Sequence, residues 1–146
     1  MTSKTRRIII LLTVVFLLGF SPLWITSINV NPCYSVGEKL DSLNGVYVYY
    51  NGGVNNVSGR NKAPDGYNLG LKYQCVEFVK RYYYEHLHHK MPDSYGHAVD
   101  FFDASLNDGE RNAKRNLAQF TNPSISVPHK DDLLVYSGTV LTSSVM

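Results

Sequence analysis

From Ile8 to Ile28 the chain runs for 21 residues in which only Thr13, Gly19, Ser21, Pro22, Thr26 and Ser27 interrupt apolar side chains. Lys4, Arg6 and Arg7 stand just ahead of it. A cationic segment followed by an apolar one is the export pattern, and it takes the first thirty residues out of any globular core. The run is also long enough to cross a hydrocarbon core as a helix. Two outcomes stay open for residues 1–30. A signal peptide would be cleaved near Ser27, where no A-x-A-like site is present. A transmembrane anchor over 8–28 would keep its basic end inside and hold the rest of the chain on the non-cytoplasmic side. The lack of a cleavage motif favours the anchor. Lipid attachment at Cys33 is disfavoured, because Val30-Asn31-Pro32 lacks the small residues expected there.

What remains supports one domain, with 31–43 as a linker and 44–146 as the folded unit. The formal charge of +2 is carried by the N-terminus. Without its three cations the body has 11 basic residues against 12 acidic ones. No concentrated basic footprint exists for phosphate neutralisation, so nucleic-acid binding is excluded as a working reading. Tyrosine is the unusual component, with 11 residues against one tryptophan. Its ring is apolar while its hydroxyl seeks a partner, which suits both polar clefts and half-buried elements.

Val46 to Tyr50 has strand composition and is stopped by Asn51-Gly52-Gly53. Asn55 to Gly70 reads as a long loop rich in Gly, Asn and Pro. The strongest helix runs from about Cys75 to about His89, with Val76, Val79, Tyr83 and Leu87 at helical spacing. Glu77 and Arg81 on it form a favourable i,i+4 pair. A weaker helix covers Ala98 to Ala104, a polar stretch spans Leu106–Asn116, and Asp131 to Tyr136 reads as a strand. This order predicts an α+β fold.

Cys75 falls in the first turn of the strongest helix. Unsatisfied backbone N–H groups there favour negative charge, hence thiolate over thiol, and Lys72 adds to the effect. Such thiolates are the reactive ones. The same N–H groups can face an oxyanion during acyl transfer. The competing reading is a small buried hydrophobe. Cys33 and Cys75 could also form one disulfide in an oxidising compartment, which excludes a catalytic thiol.

Asn44-Gly45-Val46, then Gly66-Tyr67-Asn68-Leu69-Gly70-Leu71-Lys72-Tyr73-Gln74-Cys75-Val76-Glu77-Phe78-Val79-Lys80-Arg81-Tyr82, resemble the CHAP family of cysteine, histidine-dependent amidohydrolases and peptidases. The likeness is greatest to the branch with the amidase domain of bifunctional glutathionylspermidine synthetase/amidase. Tyr95-Gly96-His97-Ala98-Val99-Asp100-Phe101-Phe102 and Asp131-Asp132-Leu133-Leu134-Val135-Tyr136 resemble later blocks of the family in the right order. The resemblance covers about residues 44–136. It implies a papain-like fold, a helix bearing the cysteine packed on an antiparallel sheet. It implies Cys75 as the nucleophile of a thioester acyl-enzyme, with Gln74 and the Cys75 N–H near the oxyanion. Neither a metal nor an organic cofactor is implied. The substrate would be a peptidoglycan stem peptide or a glutathione–polyamine amide. Export favours the former and the sequence likeness favours the latter.

The family pattern also needs a histidine as general base on the strand after the Asp-Leu-Leu-Val-Tyr block. Here Tyr136 is followed by ten residues without one. His86, His88 and His89 fall at the far end of the Cys75 helix, roughly 15 Å from its start. His97 and His129 do not match the family's base. Two expectations follow: a broken copy of a longer amidase, or a pseudoenzyme that binds peptide or peptidoglycan without cleaving it.

Overall fold

In the computed structural model the described residues are 3–25, 29–54, 56–124 and 126–136, with side chains in the first helix as far as Phe16. That helix, α1, spans Ser3–Ile25. Its described apolar side chains, Ile8 to Phe16, are exposed. Among the described residues no helix is long and apolar enough to cross a membrane. This corrects the expectation of a transmembrane anchor over 8–28.

The folded body begins with a hairpin. Strand β1 (Lys39–Leu43) pairs antiparallel with β2 (Val46–Tyr49), Leu43 opposite Val46 and Ser42 opposite Tyr47. Asn44 and Gly45 turn the chain with φ of 49° and 85°. Positive φ at both central residues is what a two-residue turn requires to match strand twist, and Asn-Gly supplies it at least cost. Lys39–Leu43, expected in a linker, is therefore half of a hairpin. The expected strand Val46–Tyr50 is present as β2.

A second hairpin occupies the segment expected to be a loop. Strand β3 (Arg60–Lys62) pairs with β4 (Asn68–Leu71), with Asn61 opposite Gly70. Between them the Asp65 carboxylate accepts the Tyr67 N–H at 3.0 Å, an Asx turn. The charged and amide side chains of Arg60, Asn61 and Lys62 carry no apolar alternation, which is why composition hid this strand.

Helix α2 (Cys75–Glu85) starts where its spacing predicts and ends four residues earlier than His89. His86 caps it, its N–H donating to the Tyr82 carbonyl, and His88 turns left-handed at φ 52°. α2 packs on β4 and β2. A 3-10 turn at Ala98–Phe101 stands where a weak helix is expected. A short hairpin, β5 (Arg111–Asn112) with β6 (Leu117–Ala118), lies in and just after the polar stretch. Asp131 to Tyr136 forms no strand among the described residues. It lies beside α2 instead, with the Tyr83 hydroxyl donating to the Asp131 carbonyl at 2.9 Å and the Tyr82 hydroxyl donating to its carboxylate at 2.5 Å.

The core is small. Val46, Tyr82, Tyr83, Met91 and Phe101 are buried together, with Val76, Val79, Leu117, Leu133 and Val135 against them. Much of the interior is polar: Glu77, Lys80, Arg81 and Arg115 are all at most 5% exposed. Helices and small antiparallel hairpins make the class α+β, as the element order predicts.

Candidate functional site around Cys75

The turn into α2 is set by two backbone states. Tyr73 is left-handed at φ 70°, and Gln74 is extended at φ −78°, ψ 155°. Gln74 is the N-cap residue, and its carbonyl accepts the Phe78 N–H at 3.0 Å. Its side chain makes no capping bond. The amide nitrogen instead donates to the Asn56 carbonyl at 2.7 Å and the Val54 carbonyl at 3.4 Å. Gln74 thus ties Val54 and Asn56 to the helix start. Beside it, the first turn of α2 leaves backbone N–H groups without intrahelical partners.

Cys75, the first residue of α2, is exposed, as is Cys33, and both are free thiols. Cys75 stands in the wall of a shallow groove of about 40 Å³ together with Val76, Val79, Ala98, Phe101 and Leu133 to Val135. The lining is almost wholly aliphatic or aromatic. The thiol therefore sits where a helix N-terminus, which favours developing negative charge, meets an apolar surface.

The histidines divide into two groups. His86, His88 and His89 follow α2 at its far end. The His86 ring lies 5.0 Å from Tyr82, and His89 Nε2 lies 2.8 Å from the Arg115 carbonyl oxygen. These contacts tie two of the three into packing. His97 adjoins Ala98, one wall of the groove, and its N–H donates to the Asp100 carboxylate at 2.6 Å. His129 stands four residues before Leu133, another wall, with Nδ1 4.0 Å from the Asp132 carboxylate. Among the described residues no three His, Cys, Asp or Glu side chains gather as a metal-binding set.

Behind the groove lies a buried ionic layer. Glu77 Oε1 accepts from Arg81 Nε and from Asn61 Nδ2, each at 2.7 Å. Arg81 also donates to the Tyr47 carbonyl at 2.6 Å, linking α2 to β2. Lys80 donates to the carbonyls of Asn68 and Ser94, the latter at 2.6 Å. Burial, reinforced by the nearby Arg115 and Arg60, pushes the Lys80 ammonium down to about 8. Burial, with Asp132 and Asp131 adding, raises the Tyr83 phenol to about 12. Sequence reasoning treats Glu77–Arg81 as an ordinary helix pair and misses Lys80 and Arg115 altogether. The i,i+4 spacing signals the pairing but not the burial.

Comparison with family models, with curated proteins and with solved structures found no match to the chain.

Proposed function

We propose that the chain is an exported cysteine-dependent amide hydrolase of CHAP type, with a papain-like relation between α2 and its sheets. The observation that carries this reading is the exposed Cys75 thiol at the first position of α2, in the wall of an apolar groove. The motif resemblance around Gln74-Cys75-Val76-Glu77-Phe78 points the same way, and Lys4, Arg6 and Arg7 before the apolar run support export.

In this mechanism Cys75 Sγ attacks the amide carbonyl, and the carbonyl π electrons move onto oxygen beside the backbone N–H groups of the α2 start. Collapse forms the thioester as the C–N bond breaks, and the amine leaves with the thiol proton. Water then attacks the thioester, giving the acid and returning the proton to sulfur. A peptidoglycan stem peptide or a glutathione–polyamine amide would supply the bond.

A second reading is a binding protein of the same fold that does not cleave. It is favoured by one observation: among the described residues, no histidine lines the groove beside Cys75. A single assay separates the two. The full chain is incubated with soluble peptidoglycan fragments or glutathionylspermidine, with and without added imidazole, and released amine is measured. Turnover that disappears in Cys75→Ala supports the hydrolase. Turnover only with imidazole supports the nucleophile and assigns the deficit to the base. No release under either condition, with ligand still bound, establishes the binder.

A further inference from the structure

A cavity of about 230 Å³ opens on a different face of the same helix start, lined by Tyr49, Asn61, Lys72, Tyr73 and Glu77. On a 3.6-residue helix Glu77 projects about 200° round from Cys75, so this cavity is separate from the thiol groove. The proposed hydrolysis does not use it.

Its chemistry is specific. The Tyr49 and Tyr73 rings lie 5.5 Å apart at 54°, giving two apolar faces at an angle. Glu77 contributes a buried carboxylate whose Oε1 is taken by Arg81 and Asn61, while Oε2 has no partner among the described residues. Glu77 is only 1% exposed, so its carboxylate is a closed floor beneath the cavity and not a contact for a ligand. Arg81 already balances the charge of Glu77. A second full cation therefore gains little, and the Lys72 ammonium in the wall disfavours it. What fits is a neutral ring with an apolar face for tyrosine and hydroxyls that accept from Lys72. Along β2 the row continues outward: Tyr47 lies 6.4 Å from Tyr49, is 44% exposed, and carries the Lys39 ammonium 3.8 Å over its ring. A platform of this kind beside the cavity suits a chain of such rings.

We propose that this cavity is a saccharide subsite, holding one pyranose ring against Tyr49 and Tyr73 with a hydroxyl on Lys72, and extending over Tyr47. The inference stands apart from hydrolysis at Cys75. If both hold, it selects a glycan-linked peptide over the polyamine conjugate as substrate.

The test is a titration of the full chain carrying Cys75→Ala with chitotetraose, followed by tyrosine fluorescence and amide chemical shifts, with spermidine as the cationic control. The expected result is a saturable response to chitotetraose that weakens about tenfold, or 1.4 kcal/mol, in both Lys72→Met and Tyr49→Leu. Thermal melts of the two variants establish that they are folded. Because Lys72 is not part of the buried ion pair, its variant tests the site without dismantling α2. No saturable response at millimolar chitotetraose overturns the proposal. So does unchanged affinity in both variants, or a response to spermidine alone. Binding that persists while every amide substrate is refused leaves the subsite standing and removes only the hydrolase reading.

Discussion

Arg81 Nε meets Glu77 Oε1 at 2.7 Å inside the protein, not on its surface. The pair joins α2 to β3 through Asn61 and to β2 through the Tyr47 carbonyl. Its net worth against an apolar pair is small, because both charges have been taken out of water, but losing one partner strands the other. Glu77→Ala or Arg81→Met should each cost about 3–5 kcal/mol in urea unfolding. The double variant Glu77→Leu/Arg81→Met should cost much less than the two single losses combined. Single losses below about 1 kcal/mol would place the pair with ordinary surface contacts.

Lys80 gives the fold a pH signature on the alkaline side. Its folded pKa, about 8, lies below the unfolded value of 10.5. Between those limits the unfolded chain holds the proton that the folded chain has released, so stability rises with pH. Tyr83 acts oppositely: raised from 10 to about 12, it keeps its proton in the fold while the unfolded chain loses it, so stability falls as pH climbs past 10. The melting temperature should therefore increase from pH 8 to near pH 10 and then decline. Lys80→Met should remove the increase and keep the decline, as followed by circular dichroism across that range.

Gly70 is where β4 approaches α2 most tightly. Its φ is +126°, and a Cβ there would stand 3.3 Å from both Cα and Cβ of Glu77. Gly70→Ala combines backbone strain with pressure on a helix backbone that cannot swing aside, and should cost about 1–3 kcal/mol. Gly45 also has positive φ but has open space around its Cβ position, so Gly45→Ala tests strain alone and should cost less.

The parts of this fold legible in the sequence are those where periodicity and turn chemistry agree. The start of α2 at Cys75 and the strand at Val46 follow from apolar spacing and from the glycine turn after Tyr50. The Asn44-Gly45 turn signals a hairpin too, but its other strand, Lys-Leu-Asp-Ser-Leu, has no β-branched residue and all five side chains are exposed. Arg60 to Lys62 and Arg111-Asn112 are hidden for the same reason: strands of two or three polar residues carry no period. Asp131 to Tyr136 shows the converse, because its apolar run serves to cover α2 through Leu133 and Val135 without entering a described strand. At the site, Cys75 is legible from its place in the helix. Gln74 is not, because its partners are carbonyls of a loop some twenty residues upstream.

The two cysteines give the sharpest test of the chemistry, because both are exposed free thiols and only one lies in the groove. Cys33 sits in the turn before β1, its N–H donating to the Asn31 carboxamide oxygen at 3.1 Å. Cys33→Ser should leave amide hydrolysis within about twofold, the ordinary effect of a surface change remote from the reaction. Cys75→Ala should lower kcat by at least about a thousandfold, since removing a nucleophile removes the covalent route itself. Mass spectrometry of the quenched reaction should find the acyl group on the peptide containing Cys75, and hydroxylamine should release it as the hydroxamate. Turnover that survives Cys75→Ala, or an acyl group found on Cys33, would move the chemistry away from the start of α2.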